Sequence, residues 1–346
     1  MMIRSAVALS AAIAFCQPAS AQPARFEVPS AYPTIQSAIN AATSGSTIVV
    51  APGTYRENLV IDKALVLQSS AGPNATVIDG GALASVISAR GTGQEAVTIS
   101  GFRITNGASL FSNGGGSGGG IYLDSVQATV MNNIIERNVS CLGTGIGTTT
   151  AAVRIKGNKI RHNIQDPSCS GANGGGIFLN GGGASPSSIT DNVISGHQVG
   201  GYGGGLAINA VNGITIASNV ISDNRGADYG GGLFFNASSG TISSNVLTNN
   251  TATGWGGGMA LLATDPADKI RVRENLLQGN QAGDGAAALL LSYYDKGIVF
   301  SGNVATGFRS SALVRCESQP LAVGKSNLLT NIGGPELSGT CLLGNE

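Results

Sequence analysis

The feature that most constrains this chain is an internal repeat. A glycine block followed by an apolar residue recurs as Gly118-Gly119-Gly120-Ile121, Gly174-Gly175-Gly176-Ile177, Gly203-Gly204-Gly205-Leu206, Gly230-Gly231-Gly232-Leu233 and Gly256-Gly257-Gly258-Met259, with a degenerate copy at Gly285-Ala286-Ala287-Ala288. After each block comes an apolar segment carrying an asparagine: Asn133, Asn158, Asn192, Asn219, Asn245, Asn275 and Asn303. Subtracting successive residue numbers gives spacings of 25, 34, 27, 26, 30 and 28. A period of this size marks stacked supersecondary units, none of which can bury its apolar face alone.

The runs inside each repeat are strands. Val153-Arg154-Ile155-Lys156 and Ile270-Arg271-Val272-Arg273 alternate apolar and charged residues, the period of a half-buried strand. The repeat therefore reads as one turn of a β-solenoid, with strands of adjacent coils paired in parallel about 4.8 Å apart. The chain is expected to be all-β: a right-handed parallel β-helix of about ten or eleven coils. The repeated asparagines fit an amide ladder at one turn, each bonding to the coils above and below, and they tolerate left-handed turn geometry. The glycines suit tight corners and close backbone approach. Locked repetition of this kind favours a structural role for both over ligand binding.

Composition narrows the function classes. The 346 residues include 53 Gly, 42% are hydrophobic and formal net charge is zero. The apolar fraction supports a large core rather than disorder. With no basic surplus, nucleic acid and anionic membrane surfaces are not the expected partners. Residues 1–21 read as a signal peptide, with Arg4, an apolar stretch from Ala6 to Phe15 and Ala19-Ser20-Ala21 as cleavage site. A soluble secreted monomer, extracellular or periplasmic, is expected, without a transmembrane segment once the signal is removed. Cys16 leaves with it. Cys141, Cys169, Cys316 and Cys341 remain, an even count that suggests two disulfides. Their positions after the asparagine strands, about one coil apart, suggest Cys141–Cys169 and Cys316–Cys341. No CxxC or neighbouring His pattern supports a zinc site, and no metal site is expected.

Residues 22–45 differ from the repeat. Ile35, Ala38, Ile39 and Ala42 have helical spacing, with Pro33 placed for a first turn, so a short N-terminal helix is expected to cap the open end of the solenoid formed by residues 46–346.

The segments Tyr32-Pro33-Thr34-Ile35-Gln36-Ser37-Ala38-Ile39 and Gly45-Ser46-Thr47-Ile48-Val49-Val50-Ala51-Pro52-Gly53-Thr54-Tyr55-Arg56-Glu57-Asn58 resemble the opening of pectin-lyase-like right-handed β-helix proteins. The resemblance spans roughly residues 28–343 and implies the fold and a carbohydrate-related activity; no cofactor is expected, calcium entering only by analogy with that superfamily. Motifs of its individual branches do not carry over. There is no Asp-Pro-His-Asp segment, Asp166-Pro167-Ser168 being no substitute, no Gly-His-Gly segment, and no match to the paired-aspartate segments of pectin methylesterases.

Candidate site residues follow from the register. On the strand after each glycine block, Tyr122 should point outward, with Phe178, Ala207, Phe234, Ala260 and Leu290 as its equivalents. Tyr202, Tyr229 and Trp255 stand just before three consecutive blocks, and such rings stack on sugars. Together Tyr122, Phe178, Tyr202, Phe234 and Trp255, with Asp284, are the candidate substrate-binding set. His197 breaks a second asparagine row formed by Asn163, Asn224 and Asn250. With Arg225, Asp228 and Tyr229 it forms the candidate catalytic set of a lyase, which needs a base and a cation to stabilise an enolate-like intermediate. Asp228 and Asp284 would be the carboxylates of a hydrolase. Arg154, Lys156, Arg161 and His162 form the densest basic cluster, and Arg271 and Arg273 repeat it four coils away, about 19 Å. The leading expectation is a secreted carbohydrate-active protein, a polysaccharide lyase, with a polysaccharide or other extracellular ligand as its partner. The alternatives are a non-catalytic carbohydrate- or surface-binding β-helix and an enzyme on an apolar, non-sugar substrate.

Overall fold

The computed structural model describes residues 24–91, 93–109, 116–226, 228–283, 285–294, 297–307, 312–331 and 335–344. The expected signal segment with Cys16, and Asp284, lie outside the described residues. The chain winds into a right-handed parallel β-helix. The coil starting at Ile121 shows the plan. Its first side is Ile121–Asp124, its second Gln127–Met131, its third Ile134–Glu136 and its fourth Val139–Ser140. Each strand pairs in parallel with its counterpart one coil on, Ile121 with Ile146, Ala128 with Val153, Ile135 with Ile160 and Val139 with Ile164. On the third side eleven described strands stack in one sheet. Alternate residues turn inward, so Ile135, Ile160, Ile194, Ile221 and Leu247 form one unbroken apolar row in the core.

Left-handed residues make the corners. In this coil they are Ser125, Asn132, Arg137 and Gly143, with φ of 52, 57, 57 and 57°. The expectation that the ladder asparagines themselves take this conformation is corrected. The residue just before each one does so: Asn132, Gly157, Asp191, Ser218, Ser244, Glu274 and Gly302. That leaves Asn133 and its equivalents free to aim their side chains inward, where they are buried.

Two internal ladders run along the axis. In the first, each side-chain amide donates to the carboxamide oxygen of the next at 2.9–3.1 Å, from Asn133 through Asn303. It ends on Asn327, a rung the repeat pattern did not reveal. Each oxygen also accepts the preceding rung's backbone N–H, and each amide donates to a strand carbonyl, as Asn219 does to Ile189 at 2.9 Å. Every polar group at this buried corner is thereby satisfied, which is why only this side chain recurs there. The second ladder contains Asn138, Asn163, His197, Asn224, Asn250 and Asn280.

The cap forms as a helix, Ile35–Ala41, with Ile35, Ala38 and Ile39 buried. Thr34 and Ser37 make a reciprocal capping box, so Pro33 precedes the N-cap rather than opening the first turn. Glu57 accepts the N–H groups of Ile35 and Gln36 at 2.9 and 2.8 Å, tying the helix to the coil beneath. The solenoid starts earlier than expected: Arg25–Val28, ahead of the helix, already pairs with Ser46–Val50, Arg25 opposite Thr47. Cys141 bonds Cys169 and Cys316 bonds Cys341, with Cα separations of 5.8 and 4.9 Å, as the coil spacing implied. Among the described residues no helix is long and apolar enough to cross a membrane.

Candidate functional site

The site is built on the outer face of the first side. Register places Tyr122, Gly147, Phe178, Ala207, Phe234, Ala260 and Leu289 in one row, one residue per coil. Large and small residues alternate along it. The expected member Leu290 is corrected to Leu289. Leu290 pairs with Leu261 and faces the core, and both are buried. The block Gly285-Ala286-Ala287-Ala288 itself aligns Leu289 with Ala260, so Leu290 is one residue out of step, a slip that the uniform run Ala288–Leu291 does not expose.

Tyr202, Tyr229 and Trp255 do stand on successive coils, each carbonyl accepting from the first glycine of the neighbouring block. Their rings fold over the row. Tyr202 stacks on Phe234 with centroids 4.8 Å apart and planes 22° from parallel, and lies 5.7 Å from Tyr229. Phe178 and Phe234 are each only 8% exposed although they point outward, because these rings cover them. Ala207 between them leaves room for that cover. The aromatic set is thus partly a self-packed structure.

A cleft of about 470 Å³ remains beside it. It is lined by Phe178, Ala207 and Phe234 of the row as its floor, by Tyr202 and Tyr229, which precede their strands, as one wall, and by Thr264 and Tyr293, which follow theirs, at the other strand end. Along the floor runs an exterior amide ladder that sequence reading missed. Asn209 donates to Asn180 at 2.8 Å, and Asn236 donates to Asn209 at 2.9 Å. Its signal was present in the strand ends Ile177-Phe178-Leu179-Asn180, Leu206-Ala207-Ile208-Asn209 and Leu233-Phe234-Phe235-Asn236. Tyr293, 55% exposed, was also missed. Towards one end an adjoining hollow is lined by Tyr229, Trp255, Leu291 and Glu317. There the Arg315 guanidinium lies 4.3 Å from the Trp255 ring centre and ion-pairs with Glu317.

The candidate catalytic set does not converge on this cleft. His197 is 1% exposed and is a rung of the second ladder. Its Nδ1 accepts the Asn163 N–H at 3.2 Å, its Nε2–H donates to the Ile160 carbonyl at 3.1 Å, and its own N–H donates to Asn224. Burial pushes its pKa down to about 4. An imidazole with one donor and one acceptor nitrogen substitutes for an amide here, so His197 is a structural residue and not a surface base. Arg225 is exposed on the fourth side and lines a different hollow, with Gln165, Gln198 and Thr253. Asp228 is exposed on the loop before Tyr229, its carbonyl accepting the Trp255 N–H at 2.8 Å. Only Tyr229 of the four reaches the cleft. Tyr122 lies two coils from Phe178, under Arg90 and bonded to Thr149.

The remaining polar clusters have structural partners. Arg161 and Arg103 clamp the buried Glu136 at 2.7 and 2.8 Å; burial alone would raise that carboxyl, but the two cations hold it below the usual range. Lys156 faces Asp191 at 3.7 Å. Arg154 and Arg271 share a row on the second side, four coils apart as expected. The one close group of metal-type ligands among the described residues is Cys141, Asp166 and Cys169. Its sulfurs are joined in the disulfide, and Asp166 accepts the Ser168 N–H, so it does not form a metal site.

Solved structures similar to this chain include a DFA-IIIase, an alginate lyase and a pectin methylesterase. DFA-IIIase from Arthrobacter chlorophenolicus A6 in complex with GF2 is 14% identical, covering 89% of this chain and 88% of its own, with a TM-score of 0.48. Alginate lyase from Paenibacillus sp. str. FPU-7 is 16% identical over 88% and 95%, TM-score 0.38. Pectin methylesterase from Aspergillus niger is 12% identical over 93% and 86%, TM-score 0.32. No activity is carried over from likenesses of this degree. No curated protein matches the chain in sequence. Residues 163–305 match the family described as "Right handed beta helix region", and the described coils on both sides of that segment repeat its plan, so the right-handed parallel β-helix fold extends beyond the matched residues.

Proposed function

We propose that the chain is a carbohydrate-binding β-helix protein, and that its first-side cleft holds a glycan along the stacked coils. The observation that carries this reading is the pairing, in one cleft, of the Tyr202–Tyr229–Phe234 cluster with Asn209 and Asn236, two rungs of the exterior amide ladder. Sugar rings present an apolar C–H face and an equatorial rim of hydroxyls. Aromatic side chains satisfy the first and carboxamides, with donors and acceptors together, satisfy the second. An apolar ligand fits less well, since it would strip water from the amides without replacing their hydrogen bonds. A lyase reading is less well supported: His197 is sealed in the ladder, Arg225 lines a different hollow, and the described lining of the cleft holds no cation to stabilise an enolate-like intermediate.

The test is glycan binding by calorimetry on an array of plant, fungal and bacterial polysaccharides. Tyr229→Ala is expected to weaken the bound glycan about tenfold, near 1.4 kcal/mol, with the fold retained. Binding that is indifferent to Tyr229→Ala, or no binding on any polysaccharide, rejects the cleft.

A further inference from the structure

Resting on that reading, we infer that the cleft selects an uncharged glycan, gripped between the Tyr202–Tyr229 wall and Tyr293. Among the described residues lining the cleft there is no Asp, Glu, Lys, Arg or His. A uronate or sulfated chain would bring anionic groups against Phe178, Phe234, Leu262 and Leu291 with no cation to meet them. Removing such a charge from water without a partner is strongly unfavourable. Arg315, beside the adjoining hollow, is already committed to the face of Trp255 and to Glu317. Glu317 itself lines the adjoining hollow, where it repels an anion further.

The amide ladder supplies what an uncharged chain needs. Within the ladder Asn209 uses one N–H towards Asn180 and one oxygen lone pair towards Asn236. A carboxamide has two donors and two acceptor sites, so one of each is left for a ligand. Hydroxyls both donate and accept, and pair with such a group without any formal charge. Repetition along the axis at about 4.8 Å presents the same chemistry to successive parts of a linear chain. Tyr293, a large exposed ring, directly follows the strand Ala288–Ser292, whereas Tyr229 precedes the strand Leu233–Asn236, so the two line the cleft from opposite strand ends. Tyr293 is the residue placed to close on the second face of a bound sugar.

The experiment compares cellohexaose, mannohexaose and xylohexaose with hexagalacturonate and an alginate hexamer. Each is titrated into the wild-type chain, Tyr229→Ala and Tyr293→Ala, with melting curves to confirm folding. The expected result is that at least one neutral hexamer binds, that both substitutions weaken it about tenfold, and that the acidic hexamers bind at least tenfold more weakly. Acidic hexamers that bind as well or better, and that lose affinity in Tyr229→Ala, overturn the selectivity while leaving the carbohydrate cleft intact. A neutral hexamer that is lost in Tyr229→Ala but untouched by Tyr293→Ala overturns the two-sided grip. Failure of every hexamer, neutral and acidic, overturns the selectivity together with the cleft.

Discussion

His197 is a residue whose chemistry is set by its slot. In the second ladder it replaces an asparagine between Asn163 and Asn224, and the imidazole fits as long as it stays neutral. Burial opposes a second proton on the ring, and placing one on Nδ1 would give up the bond it accepts from the Asn163 N–H. The folded-state pKa of about 4 lies below the ordinary 6.5. Above about pH 6.5 neither folded nor unfolded chain protonates the ring, and stability is whole. As pH falls from there the unfolded chain binds a proton that the folded chain refuses, so stability is lost down to about pH 4 and then levels off. The integrated loss is on the order of 3 kcal/mol. His197→Asn should abolish this component: urea denaturation at about pH 7 and about pH 4.5 should show a steeper loss for the wild type. Parallel curves would mean that His197 titrates as an exposed group. The row to which His197 belongs was legible from the spacing of Asn163, Asn224 and Asn250. That the ring satisfies the row, rather than leaving it, was not, because the two hydrogen bonds that decide it join residues 34 and 37 positions apart.

At the level of elements, the loop that follows the third and fourth sides carries one wall of the cleft. Cys169 anchors it to Cys141 on the coil before, and Gln165 bonds both to the Cys169 carbonyl and to the Gly200 N–H. A few residues on, Asn173 accepts the Tyr202 N–H at 2.9 Å and lines the cleft. The disulfide spans 28 residues, so its removal frees the unfolded chain by about 3.6 kcal/mol. Cys141→Ser with Cys169→Ser should therefore lower the denaturation midpoint and also weaken glycan binding severalfold, through Asn173 and Tyr202. Lowered stability with affinity unchanged would show that the wall stands without the bridge. The pairing itself was readable from the sequence, since cysteines one period apart on equivalent loops must stack. The outer faces were read less well. Leu290 is one residue out of step with the block at Gly285, which itself aligns Leu289 with Ala260, and no polar residue in the run Ala288–Leu291 exposes the slip. The Asn180–Asn209–Asn236 ladder escaped because its rungs sit at strand ends, where the buried asparagine rows had drawn the periodicity argument inward.

For the whole molecule, the decisive property is that each coil touches mainly its two neighbours. Stability is then a sum of similar coil and interface terms, and a lesion is felt where it is made. The N-terminal end shows what an open coil needs. Ile35, Ala38 and Ile39 cover the apolar interior, Thr34 and Ser37 satisfy the helix start, and Glu57 clamps two further N–H groups. Replacing Ile39 with Ala should cost about 3 kcal/mol, the usual loss for a buried isoleucine. In a globular core that loss would be shared by every amide protected through global unfolding. Here it should be local. Hydrogen exchange should quicken most in the strands Ser46–Val50 and Leu65–Ser69, and should be nearly unchanged in Leu233–Asn236 and Met259–Ala263, more than five coils away. Acceleration spread evenly over all these strands would show that the ladders couple the solenoid into one cooperative unit. The ladders, which run from Asn133 to Asn327 and from Asn138 to Asn280, are the feature that would do so.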